Sequence, residues 1–316
     1  MSALVSTLSG EELVRENAAR GEYAIALGCF DGVHIGHQKL LKKVLEAKEE
    51  GCTSVVFTFD RVPGSQVVPS AQSFLTLENE KQQFMREIGM ECYVLFPFTK
   101  ETSSMDPEEF VTEILVKTMH VKKLYVGKDF RFGKDRKGDV VLLAKMAEQF
   151  GFTFEAIEKE TYKNEVVSSS RIRDLVLAGS PEDVTVMLSR PYTLSGQVIH
   201  GRKLGRTIGI PTINVAFPEG KVRPKSGVYC SRVSVDERVF YGITNIGTKP
   251  TVQDEPVYGA ETYLFDCNQD LYEKEVTIEL LHFVREEKKF SSVEELAGQL
   301  EQDKQYGIAY VKGLDA

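Results

Sequence analysis

The pattern of apolar residues changes near Arg190-Pro191, and this change places the two parts of the 316-residue chain in different fold classes. Before it, short apolar segments typical of buried parallel strands alternate with amphipathic helical segments. After it, short β-rich segments are separated by glycine and proline. The chain is long enough for two domains with separate cores. We therefore predict one domain over residues 1–188 and a second over residues 189–316.

The first region favours an α/β doubly wound (Rossmann-like) sheet with helices on both faces, because strand and helix patterns alternate along it. A helix is predicted from residue 37 to residue 50, where Gly51 can end it. Asp106 and Pro107 form an N-cap and a first-turn proline, which predicts a second helix over 107–118. The remaining predicted segments are strands at 23–27, 54–59, 92–96 and 123–126, and helices at 169–178 and 181–188.

The second region favours an antiparallel β-barrel or a β-sandwich, followed by one C-terminal helix. The predicted strands are at 195–199, 228–235, 239–245, 260–265 and 276–283. The predicted helix runs from about residue 293 to residue 310 and is amphipathic.

Composition excludes several classes of protein. Asp plus Glu exceeds Lys plus Arg, 47 against 39, and the net charge of −8 disfavours binding of nucleic acid through bulk positive charge. There is no basic, apolar N-terminal signal and no apolar run long enough to span a bilayer. The five cysteines form no Cys-x-x-Cys pair, which favours reduced thiols over disulfides or a zinc site. We expect a cytoplasmic protein without nucleic-acid or membrane partners, whose oligomeric state the sequence does not fix.

Residues 28–37 follow the first predicted strand and lie at the start of the next helix, where open α/β sheets bind their ligands. A helix N-terminus presents free N–H groups and partial positive charge, which suit phosphates. His34 and His37 are three positions apart and can face the same phosphates, and Gly36 allows a nucleotide close to the backbone. The alternative is a helix start with two surface histidines. The predicted binding residues of this segment are Gly28, Phe30, Asp31, His34, Gly36 and His37.

Two further segments of the first region are candidates for binding. In Ser168-Ser169-Ser170-Arg171-Ile172-Arg173, Ser168 and Ser169 can donate hydrogen bonds to phosphate and Arg173 can clamp its oxygens; the alternative is an ordinary helix cap. In the glycine-bounded segment 127–133, Asp129 and Phe130 can hold a hydroxyl group and a flat ring. The alternative there is a loop whose aromatic rings turn into the core.

In the second region, residues 200–214 combine glycines with basic residues, as a loop that folds over phosphates would. Its predicted binding glycines are Gly201, Gly205 and Gly209. Thr212 and Asn214 alternate along an extended segment, so their oxygens project to one side, as a magnesium–phosphate site requires. Glu261 is a carboxylate within an otherwise apolar strand; the alternative is an edge position or a structural ion pair.

These segments also carry a resemblance to known families. His34-x-Gly36-His37 and the serine segment at 168–173 resemble the two signatures of the nucleotidyltransferase superfamily, which class I aminoacyl-tRNA synthetases share. Five segments resemble the riboflavin kinase barrel: Gly205-Arg206-x-x-Gly209-Ile210-Pro211-Thr212-x-Asn214, Ser226-Gly227-Val228-Tyr229, Asn245-Ile246-Gly247-x-x-Pro250-Thr251, Glu261-x-x-Leu264-x-Asp266 and Arg285-Glu286-x-x-x-Phe290. In this order, over roughly residues 20–310, the chain is similar to the bacterial bifunctional riboflavin kinase/FAD synthetase family.

The resemblance implies that the first domain is a nucleotidyltransferase and the second a kinase barrel. ATP would phosphorylate riboflavin to FMN, and a second ATP would convert FMN to FAD and pyrophosphate, with Mg²⁺ as the cofactor. By the same resemblance, Thr212 and Asn214 hold magnesium and ATP phosphates, Glu261 is the general base, and Arg285 lies near the flavin. It further implies that His34, His37 and Arg173 act on ATP phosphates, and that Asp129 and Phe130 belong to the flavin and adenylate pocket.

One position departs from the family pattern, which has the form Thr-Phe-x-Pro-His-Pro after the second strand. Val62 stands where the histidine would be, so the adenylyl-transfer half loses one hydrogen-bond donor. One alternative is therefore a riboflavin kinase with an impaired adenylyltransferase domain. Two others are a flavin-sensing regulator without turnover and a synthetase-like enzyme with a tRNA-binding barrel.

Overall fold

The computed structural model of the chain describes residues 6–8, 22–60, 73–201, 210–250 and 256–314. The chain divides into two compact units, Met1–Ser169 and Ser170–Ala316. This division falls at the start of the first of the two helices, predicted at 169–178 and 181–188, that the sequence assigns to the first domain. The domain boundary after residue 188 therefore stays a prediction.

The first unit contains a six-stranded sheet in the order β1-β4-β3-β2-β5-β6, and all of its strand pairs are parallel. Its strands are β1 (Ser6–Leu8), β2 (Tyr23–Leu27), β3 (Thr53–Phe59), β4 (Cys92–Phe96), β5 (Val121–Gly127) and β6 (Thr153–Ile157). From β2 the chain proceeds to one side through β3 and β4 and then to the other side through β5 and β6. The strand order thus reverses at β2, and in such sheets ligands bind beyond the carboxyl end of the strand at the switch point.

Apolar clusters cover both faces of this sheet. Ile25 and Leu27 belong to one cluster, whereas Ala24 and Ala26 belong to the other, as the alternation of side chains along a strand requires. The helices are α1 (Ile35–Lys48), α2 (Glu78–Glu87), α3 (Lys100–Ser103), α4 (Pro107–Glu109), which continues as the π-helix Phe110–Thr118, and α5 (Val140–Phe150). The prediction of a doubly wound domain is confirmed. A two-stranded ribbon, β7 (Thr161–Tyr162) and β8 (Glu165–Val166), follows β6.

The second unit is built around a closed barrel of six strands in the order β10-β13-β12-β11-β14-β9, and every neighbouring pair is antiparallel. Its strands are β9 (Tyr192–Ile199), β10 (Thr212–Ala216), β11 (Gly227–Val235), β12 (Arg238–Pro250), β13 (Pro256–Leu264) and β14 (Glu275–Arg285). Helices α6 (Ser169–Ala178) and α7 (Pro181–Leu188) precede it, and α8 (Val293–Leu314) follows it. Because the sheet closes on itself, the second unit is a β-barrel and not a β-sandwich.

Two of these helices pack on the barrel. Helix α7 buries Val184, Met187 and Leu188 and contacts β9 and β14. Helix α8 contacts β12 at Gly307, where an added Cβ would lie 2.7 Å from Cδ1 of Ile243. None of the described helices has the length and apolar character that a membrane span needs.

Candidate active sites

The turn between β2 and α1 contains the first predicted binding segment. Phe30 and Val33 both adopt positive φ angles, 52° and 42°, which are uncommon for residues other than glycine. Both side chains are fully buried, so packing holds the backbone in this conformation. Strained backbone of this kind concentrates at binding and catalytic sites. The buried side chain of Phe30 therefore stabilises the turn, and its role in ligand binding stays a prediction.

His34 and His37 form a stacked pair at the start of α1. His34 is the N-cap, and its Nδ1 accepts a hydrogen bond from the backbone N–H of His37 at 3.3 Å. This acceptance places the proton of a neutral His34 ring on Nε2. The two ring centroids are 3.7 Å apart with an interplanar angle of 16°. At Gly36 an added Cβ would lie 3.2 Å from both Cε1 and Nδ1 of His34, so the glycine provides room for that ring.

The imidazole of His37 is buried, and its Nδ1 has no hydrogen-bond partner among the described residues. Burial holds the pKa of His37 well below its usual value, and electrostatic interactions with His34 and Lys81 lower it further. His37 is therefore neutral at pH 7. A buried ring nitrogen without a protein partner is suited to a hydrogen bond with a bound ligand.

Asp31 connects the histidine turn to the segment that precedes α2. Its carboxylate is only 6% exposed, and Oδ1 accepts hydrogen bonds from the backbone N–H groups of Leu75 at 2.8 Å and Thr76 at 3.3 Å. Asp31 thus has a structural role here, and direct contact with a ligand stays a prediction.

Helix α2 brings a buried lysine to the histidine turn. Lys81 is 5% exposed and forms an ion pair with Glu78 at 2.8 Å. Its charge lies close enough to lower the pKa values of His37 and Cys29, although burial, the larger effect, raises the pKa of the Cys29 thiol overall. No local pattern in the sequence predicts this residue, because a lysine that follows two glutamates and precedes two glutamines is typical of a solvated helix face.

The other predicted residues of the first region are placed as follows. Ser169 Oγ donates to the backbone oxygen of Asp31 at 2.8 Å, which joins the serine segment to the histidine turn. Arg173 lies half-buried on α6, in the second unit. Asp129 is exposed and forms an ion pair with Lys159 at 2.6 Å. The roles of these residues, and those of Gly28 and Ser168, stay predictions.

The aromatic pair of the third segment divides between the core and the surface. Phe132 is buried in the core, as the alternative interpretation expects. Phe130 is partly buried and stacks on Phe132, with centroids 5.7 Å apart and an interplanar angle of 15°. A partly exposed ring with a rigid support beneath it is compatible with the predicted contact to a flat ligand.

In the barrel, Glu261 of β13 lies between two asparagines on the neighbouring strands. The register pairs it with Asn214 of β10 on one side and with Asn245 of β12 on the other. Directly opposed residues project to the same face of a sheet. Thr212, two positions before Asn214, donates from Oγ1 to Glu261 Oε1 at 2.7 Å. Oδ1 of Asn245 is buried and has no hydrogen-bond partner in the described part of the chain.

Thr212, Asn245 and Glu261 line a cavity of about 280 Å³. Its walls are mostly apolar, with a small number of polar groups, as is typical of small-molecule sites. The polar lining residues include Thr212, Asn245, Glu261, Arg285 and Asp303, and the apolar ones include Ile210, Val228, Ile243, Tyr263, Phe290, Leu296 and Leu300. Arg285 was predicted from the sequence, whereas Asp303 was not.

A second cavity, of about 320 Å³, is lined by residues of β9 and β10 and of the segment 264–272. Thr212 lines both cavities, so the hydroxyl that binds Glu261 marks their junction. Gly201 lies close to the junction, because an added Cβ there would be 2.5 Å from Nδ2 of Asn214. Gly205 and Gly209 lie outside the described residues, and so do Arg61 and Val62.

Comparison with known families divides the chain into two matched segments. Residues 16–171 match the family model described as FAD synthetase, and residues 188–311 match the one described as riboflavin kinase. The first contains the histidine turn, and the second contains both cavities of the barrel.

Relatives match the chain over nearly its whole length. The bifunctional riboflavin kinase/FMN adenylyltransferase of Listeria monocytogenes is 35% identical over 92% of this chain and 93% of its own. The protein of the same name from Bacillus subtilis is 35% identical over 96% of both chains. A crystal structure from Streptococcus pneumoniae, described as a macrolide-efflux protein, covers 94% of this chain and 97% of its own with a TM-score of 0.81 and 27% identity.

Proposed function

Because the chain belongs to the family of bifunctional riboflavin kinase/FMN adenylyltransferases, we propose that each of its two reactions takes place at one of the two sites described above. The C-terminal part phosphorylates riboflavin with ATP to give FMN. The N-terminal part transfers the adenylyl group of a second ATP to FMN, which gives FAD and pyrophosphate. We assign the kinase reaction to the barrel cavity at Glu261 and adenylyl transfer to the turn of His34 and His37.

The observation that carries the kinase assignment is that Glu261, which lines the apolar cavity, accepts a hydrogen bond from Thr212, which lines both cavities. The apolar cavity suits the flat ring of riboflavin, and the second cavity suits ATP. The ribityl 5′-hydroxyl and the γ-phosphate would then meet beside Thr212, which lines both cavities. Glu261 accepts the proton of the 5′-hydroxyl while the hydroxyl oxygen attacks the γ-phosphorus in line. The bond between the γ-phosphorus and the oxygen of the leaving ADP breaks.

The residues beside Glu261 also fit a magnesium ion bound with ATP. Mg²⁺ prefers oxygen ligands and keeps part of its shell for substrate phosphates. Thr212 and Asn214 offer a hydroxyl and an amide oxygen, and Asn245 Oδ1 is a buried carbonyl without a partner among the described residues. Thr212 and Asn214 would hold the ion, which when bound neutralises phosphate charge. Gly201, Gly205 and Gly209 would bind the ATP phosphates; the last two lie outside the described residues.

Adenylyl transfer requires mainly the stabilisation of negative charge, because the FMN phosphate attacks the α-phosphate and pyrophosphate leaves. The N-terminus of α1 supplies free N–H groups, and the stacked histidines supply ring nitrogens. The buried Nδ1 of His37, which has no partner among residues that the structure describes, supports this assignment. Buried Lys81 adds positive charge near the turn. Ser168, Ser169 and Arg173 would bind the phosphates. Asp129 and Phe130 would belong to the flavin and adenylate pocket.

The substrates are therefore riboflavin, FMN and ATP. A cytoplasmic location without nucleic-acid or membrane partners is part of the proposal, and the five free cysteines agree with a reducing compartment.

Incubation of the purified chain with riboflavin, ATP and magnesium, followed by chromatography, tests the function. We expect both FMN and FAD. FMN without FAD would indicate the impaired adenylyltransferase, whereas flavin binding without turnover would indicate the regulator. A change of ATP–pyrophosphate exchange on addition of tRNA would favour the synthetase-like alternative, and we expect none.

A further inference from the structure

Helix α8 contributes one wall of the apolar cavity in the barrel. Val293, Leu296, Leu300 and Asp303 all line it. Their spacing of three or four residues places them along one face of the helix. The face is apolar except for Asp303. Its carboxylate therefore occupies a position at which an apolar side chain would be expected.

Asp303 is bound by two side chains that hold it in a fixed position. It is only 2% exposed, and its two oxygens accept hydrogen bonds from Nε of Arg285 at 2.9 Å and from Nη2 at 2.6 Å. Gln299, one turn earlier on α8, donates to Oδ1 at 3.0 Å. A buried carboxylate is costly unless it is paired and hydrogen-bonded, and here it is both.

The paired carboxylate fixes the orientation of the Arg285 guanidinium. A bidentate Arg–carboxylate pair fixes the orientation of the guanidinium plane, whereas a single hydrogen bond leaves the plane free to rotate. Nη1 also donates to the backbone oxygen of Glu286 at 2.9 Å. A guanidinium has five N–H groups, and the contacts within the described chain occupy three of them. The remaining two, one on each terminal nitrogen, are held in fixed directions at the cavity wall.

We propose that Asp303 is a positioning residue for riboflavin, which acts by holding Arg285 in the orientation that contacts the flavin ring. The inference rests on the assignment of this cavity to riboflavin. A flat ring that carries carbonyl groups is a suitable ligand for a fixed guanidinium, which can stack on an aromatic face or donate to a carbonyl oxygen. Pairing with Asp303 also balances the positive charge of Arg285 at the wall that would face a neutral ring.

Steady-state kinetics of the full chain with Asp303→Asn tests the proposal. The amide keeps the size of the side chain but removes the charge and one acceptor. We expect KM for riboflavin to rise about tenfold, the effect of losing one well-placed hydrogen bond to the ligand, with kcat changed less than about threefold. KM for ATP and adenylyl transfer to supplied FMN should stay unchanged. Glu301→Gln, on the exposed side of α8, is the matched control and should change none of these constants.

A second variant keeps the test decisive where Asp303→Asn folds poorly. Arg285→Lys keeps the positive charge but loses the fork, so it should raise KM for riboflavin to a similar extent. The double variant should be no worse than either single one, because both remove the same oriented guanidinium. An unchanged KM in Arg285→Lys, or additive losses in the double variant, would overturn the proposal. Glu261→Gln distinguishes the two levels: if it leaves FMN formation intact, the assignment of the cavity itself is wrong.

Discussion

Glu261→Gln removes a proton acceptor from the barrel cavity and leaves its shape almost unchanged. The glutamine Oε1 can still accept the hydrogen bond that Thr212 donates at 2.7 Å, and the backbone pairing of β13 with its neighbours does not change. A general base contributes about 10²–10⁴-fold to a rate, which corresponds to about 3–5 kcal/mol of transition-state stabilisation. We therefore expect kcat for FMN formation to fall by about a hundredfold or more.

The second reaction of the same polypeptide serves as the internal reference for this variant. FAD formation from supplied FMN should stay within about twofold of the unaltered rate, because the adenylyltransferase machinery does not include Glu261. Chromatography separates riboflavin, FMN and FAD, so one assay measures both rates. Glu275→Gln removes an exposed carboxylate from β14 and is the matched control for loss of charge from the barrel.

Three results would refute the reasoning. Equal losses in both reactions would show that Glu261 stabilises the chain as a whole. Retention of kcat within about threefold, with KM for riboflavin unchanged, would show that the cavity at Glu261 is not the kinase site. A rise in KM for riboflavin with kcat intact would likewise assign Glu261 to binding only.

Three further predictions concern stability and the first domain. A fragment of residues 170–316 should make FMN and melt at a higher temperature than residues 189–316, because only the longer one keeps the buried side chains of α7; equal melting temperatures would contradict this. The unfolded chain binds a proton at His37 below about pH 6.5, while burial keeps the folded pKa well below that value. The stability of the first domain should therefore decline as pH falls below about 6.5, and His37→Gln should reduce this decline in urea unfolding. Arg61→Ala should slow FAD formation about tenfold, which corresponds to about 1.4 kcal/mol, whereas Val62→His should not slow it. Neither variant should change kinase activity. If Arg61→Ala forms FAD as fast as the unaltered chain, Arg61 does not compensate for the missing histidine.

The sequence predicts the histidine turn well because its parts are consecutive. A strand, a glycine-containing turn and a helix start follow one another, so residue spacing alone brings His34 and His37 together. The helix nevertheless begins two residues before its predicted start. The reason is that His34 caps α1 with its own side chain, and the cap preferences of Ser, Thr, Asp and Asn do not anticipate a histidine there.

Lys81 and Asp303 illustrate what spacing cannot predict. Each is a charged residue on an otherwise amphipathic helix, and such residues are usually exposed. Their burial depends on contacts with distant parts of the chain. Asp31 binds the segment before α2, the helix of Lys81, and Arg285 of β14 forms an ion pair with Asp303 of α8. Neither contact has a local sequence signature.

The barrel site depends on strand register in a way that the histidine turn does not. Asn214, Glu261 and Asn245 are far apart in sequence and adjacent only because β10, β13 and β12 pair in one particular register. A shift of one residue in β13 would turn Glu261 to the opposite face and away from the cavity. Closure of the barrel fixes this register from both sides of β13. The kinase site is thus a property of the closed sheet, whereas the adenylyltransferase site is a property of one turn and the helix that follows it.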